Sequence, residues 1–164
     1  MSEIEVEILR FAWQDEAAML VRLLVAALAG AIIGFERTYS GKRAGIRTVT
    51  MVSVGAAVFT LVSIYGFEVH DQSRVAAQVA SGVGFLGAGA IIRQGGTVQG
   101  LTTAAAIWVA AALGLAAGVG LYIVAIAGAL LATAAMGLLP HTVRVAGSED
   151  AAGSDDSDSD DDLV

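Results

Sequence analysis

Long apolar runs separated by short polar breaks dominate this chain, and each run has about the length of a membrane-crossing helix. About 20 apolar residues in a helix span the roughly 30 Å hydrocarbon core of a bilayer. The first three runs, at 17–35, 46–66 and 72–92, match that length, and a turn is predicted at 94–97 after the third. The pattern therefore predicts an all-α membrane protein that begins with three transmembrane helices.

The last apolar run is too long for a single span. The 40 residues 100–139 contain no charged side chain. At about 1.5 Å per residue they would form a helix of about 60 Å, twice the thickness of the hydrocarbon core. We therefore place a break near residues 118–120, and we expect Pro140 to end the last helix. The predicted fold is an all-α bundle of five transmembrane helices.

The basic residues between the spans predict the orientation, because cytoplasmic loops carry an excess of Lys and Arg. Arg10 and Arg74 fall on one side of the predicted membrane, and Arg22 lies inside the first span. Six basic residues fall on the other side: Arg37, Lys42, Arg43, Arg47, Arg93 and Arg144. We therefore predict a multi-pass protein of the cell (inner or plasma) membrane, with its N-terminus outside and its C-terminus in the cytoplasm.

Composition divides the chain into three regions. Hydrophobic residues make up 56% and charged residues 15%, and the mean hydropathy is +0.73, which is unusual for a soluble domain. Eight of the 16 acidic residues lie between 149 and 162, so the formal charge of −7 describes a tail rather than the membrane body. The predicted regions are an extracytoplasmic segment at 1–15, a membrane domain at 16–145 and a disordered acidic cytoplasmic tail at 146–164.

No constellation in the sequence predicts an enzyme. The chain has no cysteine, which excludes disulfides, thiolate metal sites and a thiol nucleophile. His70 and His141 fall on opposite sides of the predicted membrane, so they cannot share a metal ion. We predict no catalytic residue, no cofactor and no nucleic-acid partner; magnesium is the candidate ion if a metal binds.

A polar track on the third span is the first candidate functional site. Asp71, Arg74, Gln78 and Ser81 recur at three- and four-residue spacing, so they share one helix face. Polar groups at membrane depth usually face a partner or a cavity. One interpretation is an Asp71–Arg74 ion pair that stabilises the fold. The other is a functional surface that guides an ion or holds another helix, and the pattern leaves both open.

Small residues at helix-contact spacing predict close packing between the spans. A glycine costs a helix about 1 kcal/mol relative to alanine, so clustered glycines indicate positions where backbones approach closely. The predicted packing positions are Gly30, Gly34, Gly82, Gly84, Gly87, Gly89, Gly114 and Gly118. Three of them follow a Gly-x-Gly-x-x-Gly pattern, but inside a span rather than after a strand, so a dinucleotide site is not predicted.

A charged cluster at the cytoplasmic end of the first span is the second candidate site. Its members are Glu36, Arg37, Arg47 and Arg93, with Lys42 and Arg43 in the same loop. Thr102 and Thr103 open the fourth span, where a hydroxyl can cap the helix or bond to another one. The cations serve either as a topology signal alone or as a surface that binds anionic lipid or an acidic patch of a partner.

The order of these motifs resembles the MgtC/SapB family over about residues 20–125. The matching segments are GFER at 34–37, AGIRT at 44–48, GAA at 55–57, DxxRxAAQVxSGVGFLGAG at 71–89, and GLTTAA at 100–105 with Trp108. The resemblance maps the family's polar positions onto Glu36, Arg37, Arg47, Asp71, Arg74 and Gln78. Two departures are Thr38, where many members carry a charged or amide residue, and the acidic tail, where longer members carry a soluble domain.

The resemblance implies a multi-span inner-membrane protein that is linked to magnesium homeostasis and to growth in low magnesium. Some members of the family restrain the proton-translocating ATP synthase, which makes a regulator of a membrane partner the first expectation. The alternative is a transporter or channel for magnesium or another cation, with Asp71 and Gln78 on its path. After Ser81 the rest of the third span is mainly apolar, which favours a regulator over a transporter that needs a polar path across the membrane. The expected partners are the lipid bilayer, a membrane protein such as the ATP synthase, and a second copy of the chain.

Overall fold

A computed structural model describes residues 3–66, 72–94 and 97–138 of the chain. Within these ranges the chain forms five α-helices, which confirms the predicted number. They are α1 (Glu3–Tyr39), α2 (Ile46–Tyr65), α3 (Gln72–Gly89), α4 (Leu101–Gly118) and α5 (Tyr122–Leu138). A short antiparallel pair of strands, β1 (Ile92–Gln94) and β2 (Thr97–Gln99), joins α3 to α4. Asp71, His70, Pro140, His141, Arg144 and the acidic tail lie outside the described residues.

The chain is a multi-pass membrane protein. Three helical segments of the described part are long and apolar enough to cross a bilayer: Glu16–Tyr39, Ile46–Tyr65 and Leu101–Gly118. Helix α5 is a shorter apolar helix. Helix α3 is not among the candidate spans, because Arg74, Gln78 and its small residues lower its hydropathy.

The helix boundaries agree with the predicted runs at one break and differ at two others. Helix α4 ends at Gly118 and α5 begins at Tyr122, which confirms the break near residues 118–120. Helix α1 is continuous from Glu3, so residues 3–15 and the predicted first span lie in one helix. Helix α3 ends at Gly89 rather than at 92, because the backbone there enters strand β1. Gln94 and Thr97, the first and last residues of the predicted turn at 94–97, pair with each other, and the two residues between them lie outside the described residues.

Contacts between helix ends define two ends of the bundle. At the Arg22 end, Arg22 Nη1 donates to the Gly118 carbonyl oxygen at 3.0 Å, and the guanidinium lies 5.7 Å from the centre of the Tyr65 ring. A cation at the C-terminus of α4 is favourable because unpaired carbonyls give that end a partial negative charge. At the Arg37 end, α1 and α5 finish while α2 and α4 begin, as the contacts of Arg37 show below.

The core consists mainly of small side chains. Ala26, Ala29 and Ala110 are fully buried, and Ser53 Oγ donates to the Ala26 carbonyl oxygen at 2.7 Å across the α1–α2 contact. In a bilayer the lipid tails are as apolar as a leucine side chain, so helices associate through close packing and hydrogen bonds. Helices α1, α2 and α4 therefore form the tight centre of the bundle, and α3 packs at its side against α2 and α4.

Four of the predicted packing glycines lie where a side chain has no room. A Cβ at Gly30 would lie 2.8 Å from Thr50 Cα, and one at Gly34 would lie 2.6 Å from Ile46 Cα. Gly114 and Gly118 approach α2 in the same way from α4, and a Cβ on Gly118 would lie 2.6 Å from Thr60 Cβ. These four residues set the distance of α1 and α4 from α2.

The glycines of α3 lie in different surroundings. A Cβ at Gly87 would make an ordinary contact with Ala104, 3.6 Å from its Cβ. At Gly82, Gly84 and Gly89, no atom from another described helix lies within 4 Å of the Cβ position. Within the described residues these three glycines therefore have no close neighbour on another helix, and their role in packing stays a prediction.

Candidate functional site

The most buried charge among the described side chains belongs to Arg37, in the last turn of α1. Its side chain is only 2% exposed. Nη2 donates to Thr103 Oγ1 at 3.2 Å, and Nη1 donates to Met136 Sδ at 3.6 Å. One guanidinium thus joins the end of α1 to the first turn of α4 and the last turns of α5, and it holds three helices together at the Arg37 end.

Glu36 is the acidic neighbour of this buried cation. Its Oε2 lies 3.8 Å from Arg37 Nη1, and its Oε1 accepts a hydrogen bond from Ser40 Oγ at 2.7 Å. Oε2 and Arg37 Nε are both buried, and neither has a hydrogen-bond partner within the described part of the chain. Removing a charge from water is costly unless it is paired and hydrogen-bonded. Each residue of this ion pair therefore keeps one buried polar atom whose hydrogen bond is not made within the described residues.

A cavity of about 1010 Å³ opens beside Arg37. The loop between α1 and α2 lines it with Lys42 and Arg43, and the start of α4 lines it with Thr102 and Thr103. Gly100 precedes α4 with φ +92°, a backbone conformation that favours glycine, and no side chain caps the helix there. We call this space the Arg37 cavity.

Thr38 has a structural role that the sequence did not reveal. Its Oγ1 donates to the Gly34 carbonyl oxygen at 2.9 Å and accepts from the Ile46 backbone N–H at 2.8 Å. The first N–H groups of a helix lack partners within the helix. Thr38 therefore satisfies the first amide of α2 from the end of α1 and fixes the path of the loop that carries Lys42 and Arg43.

The other predicted members of this cluster lie apart from Arg37. Arg47, in the first turn of α2, and Arg93, on β1, are both exposed, and neither lines the Arg37 cavity. The structure thus brings together Arg37, Glu36 and Thr103, whereas Met136 enters the site without having been singled out. Met136 is uncharged and belongs to no motif, so nothing in the sequence indicates that it contacts Arg37.

The polar track of α3 borders a second cavity, a groove of about 710 Å³ between α2 and α3. Arg74 and Gln78 line it, and apolar side chains such as Phe59 and Val79 form most of its wall. Ser81 is exposed and does not line the groove, and Asp71 lies outside the described residues. The predicted face is therefore divided between the groove and the outer surface of α3.

The MgtC family model matches residues 23–145 of the chain. "Putative magnesium transporter YhiD" of Escherichia coli (strain K12) is 46% identical over 123 residues, which cover 70% of this chain and 57% of that protein. "Protein MgtC" of Brucella abortus (strain 2308) is 43% identical over 133 residues, or 81% of this chain and 56% of that protein.

"Protein MgtC" of Salmonella typhimurium (strain 14028s / SGSC 2262) is 49% identical over 89 residues, which cover 54% of this chain and 38% of that protein. The chain thus spans about half the length of the relatives it matches. No solved structure matches it.

Proposed function

The chain belongs to the MgtC family, and we propose that it acts as a regulatory membrane protein linked to magnesium homeostasis and growth in low magnesium. In this proposal the chain binds a partner complex within the membrane and alters its activity. The ATP synthase is the partner that the family resemblance implies. The observation that carries the proposal is the open outer face of α3.

The outer face of α3 has the properties of a helix-packing surface without a neighbour. Gly84 and Gly89 are exposed and have open space at their Cβ positions, and Phe85 between them is 82% exposed. Helices in membranes associate through such small residues, because these let two backbones approach closely. Each glycine weakens its own helix by about 1 kcal/mol. A cluster of them with no close contact among the described residues therefore supports a contact with another membrane helix.

The charges of the two cavities support binding of a partner over conduction of a cation. Arg37, Lys42 and Arg43 line one cavity and Arg74 lines the other, while no carboxylate lines either among the described residues. Magnesium is bound through oxygen ligands, usually carboxylates, and positive side chains repel it. No cluster of three His, Cys, Asp or Glu side chains occurs in the described ranges either.

Transport of magnesium or another cation through the polar face of α3 is the second candidate function. The printed name of the Escherichia coli relative favours it, as does the position of Arg74 and Gln78 on a groove large enough for a hydrated ion. This candidate requires an acidic group such as Asp71 to offset the charge of Arg74.

The proposed topology has five spans, an external N-terminus and a cytoplasmic C-terminus in the cell membrane. The distribution of charge supports it. Lys42, Arg43 and Arg47 lie in the loop and first helical turn at the Arg37 end, and Arg93 lies on the hairpin there. An excess of basic residues marks the cytoplasmic side of a membrane protein. At the opposite end, Arg22 is held against Gly118 within the bundle.

Co-reconstitution with a bacterial ATP synthase tests the regulatory function. Vesicles that contain the synthase from Escherichia coli and an excess of this chain are energised with ATP, and proton pumping is followed with a pH-sensitive dye. We expect the wild-type chain to lower the pumping rate. Gly84→Leu is expected to abolish this effect, because a leucine would hold a partner helix away from α3.

Gly137→Leu is the matched control for this experiment. Gly137 lies on α5 and also has open space at its Cβ position, so the two variants add the same side chain to a helix surface without an internal clash. Gly137→Leu should restrain pumping as the wild-type chain does. An unchanged pumping rate with the wild-type chain, or equal effects of the two variants, would show that the α3 face does not bind the synthase.

A further inference from the structure

Arg37 uses only part of its hydrogen-bonding capacity. A guanidinium has five N–H donors and carries a positive charge at every physiological pH. Two of the donors meet a hydroxyl and a thioether, and a thioether sulfur is a weak acceptor. Nε is buried and has no partner within the described residues. Arg37 therefore contributes a positive charge to the wall of the cavity that it lines.

The Arg37 cavity has an excess of positive charge. Arg37 forms part of its wall, and Lys42 and Arg43 extend into its lining from the loop between α1 and α2. Glu36 offsets one of these three charges, since its Oε2 lies 3.8 Å from Arg37 Nη1. Among the described residues, the lining of this cavity includes three cationic side chains and no carboxylate, which suits an anionic ligand.

The start of α4 adds donors to the same wall. The first amides of a helix have no partners inside the helix, and the helix dipole makes that end favourable for an anion. No side chain caps α4 at Gly100, and Thr102 and Thr103 place hydroxyl groups at the cavity. Hydroxyl and guanidinium groups beside the N-terminus of a helix are donors of the kind with which proteins bind phosphoryl oxygens.

We propose that the Arg37 cavity is a binding site for a phosphoryl oxyanion. Arg37 and the first turn of α4 form its fixed wall, and Lys42 and Arg43 close it from the loop. Two sources share this chemistry, the headgroup of an anionic phospholipid and free inorganic phosphate. The site is separate from the outer face of α3 and does not depend on the proposed partner.

The proposal is tested by ligand-dependent stabilisation of the purified full chain. In detergent, the midpoint of thermal unfolding is measured against inorganic phosphate, with chloride at equal ionic strength as the reference. In a second arm, the midpoint is compared between vesicles of phosphatidylcholine and vesicles that also contain phosphatidylglycerol. A ligand that binds only the folded state raises the midpoint, and the titration gives its apparent Kd.

Lys42→Ala/Arg43→Ala removes two charges from the cavity, and Arg47→Ala/Arg93→Ala removes two exposed charges at the same end of the bundle. We expect Lys42→Ala/Arg43→Ala to raise the apparent Kd at least about tenfold, which is the effect of losing a hydrogen bond to a charged group. Arg47→Ala/Arg93→Ala should change the apparent Kd less than about twofold. Both pairs lie in loops, on a hairpin or in a first helical turn, so both variants should fold.

The two arms identify the source of the phosphoryl group. Stabilisation by phosphate supports a free oxyanion as the ligand, and stabilisation by phosphatidylglycerol alone supports a lipid headgroup. Absence of stabilisation in both arms would overturn the proposal. Equal weakening by the two double variants would also overturn it, since net charge rather than the cavity would then account for the binding.

Discussion

Arg37→Ala is expected to lower the free energy of unfolding by about 3 kcal/mol, the largest loss that we predict for removing one charge from this bundle. The guanidinium joins α1 to Thr103 of α4 and Met136 of α5, so its removal breaks contacts among three helices. It also leaves the buried Oε2 of Glu36 without a cation beside it. The measurement is thermal or denaturant unfolding of the purified chain in detergent, followed by circular dichroism.

Arg47→Ala is the matched control, because Arg47 is exposed at the same end of the bundle and should be replaceable within about 0.5 kcal/mol. Glu36→Gln/Arg37→Met should be more stable than Arg37→Ala, since it removes both charges and fills part of the space. Equal stabilities of Arg37→Ala and Arg47→Ala would contradict the structural role of Arg37.

Gly114→Leu is expected to prevent α4 from packing on α2. A Cβ at this position would overlap the Ser53 carbonyl group and lie 2.9 Å from Ala56 Cβ. The nearest atoms belong to the backbone of α2, which cannot rotate away as a flexible side chain does. Overpacking a core costs about 1–3 kcal/mol and occasionally more, and a collision with backbone belongs at the upper end of that range. We expect aggregation or a strongly reduced yield of monodisperse protein in size-exclusion chromatography.

Gly137→Leu introduces the same side chain at a glycine of α5 that has open space around it, and it should give a normal elution profile. Gly114→Ala should lie between the two, because a single methyl group already meets the Ser53 carbonyl. A Gly114→Leu chain that elutes and unfolds like the wild type would show that α2 and α4 are farther apart than the structure places them.

The number of helices and the break between α4 and α5 follow from local features of the sequence. The length of an apolar run is limited by the thickness of the bilayer, so an uncharged stretch of twice that length must turn. Gly118 and Gly120 marked the position, and Gly120 adopts φ +92° there. The spacing of Gly30 and Gly34 likewise follows from the repeat of the helix, because residues four apart lie on one face.

The partners of Arg37 could not be read from the sequence, because they are distant along the chain. Thr103 and Met136 are 66 and 99 residues away from it, and only the packing of three helices brings them together. Glu36 and Arg37 stand out in the sequence as charges at a membrane boundary, whereas a methionine at the end of an apolar helix resembles any other lipid-facing residue. Thr38 departs from the family pattern in the sequence, and only the structure shows its hydrogen bonds to the Gly34 carbonyl oxygen and the Ile46 amide.

The third helix shows a different limit of sequence reasoning. In the sequence its glycines share the spacing of packing positions with those of the first and fourth spans, which predicts the same role for all of them. The structure separates them, because Gly34 faces α2 at close range while Gly84 has no close neighbour on another helix of the described part of the chain. A spacing rule identifies a face that is suited to packing and gives no information on whether the neighbour belongs to the same chain.

Magnesium flux is the measurement that most directly tests regulation against transport. The purified chain is reconstituted into vesicles with a magnesium-sensitive dye inside, and Asp71→Asn and Gln78→Leu are measured in parallel. The account predicts that uptake into vesicles with folded, inserted protein equals the leak of protein-free vesicles, while a known magnesium channel in the same lipid gives a clear signal. Saturable uptake that is lost in Asp71→Asn would contradict the account and place the polar face of α3 on a transport path.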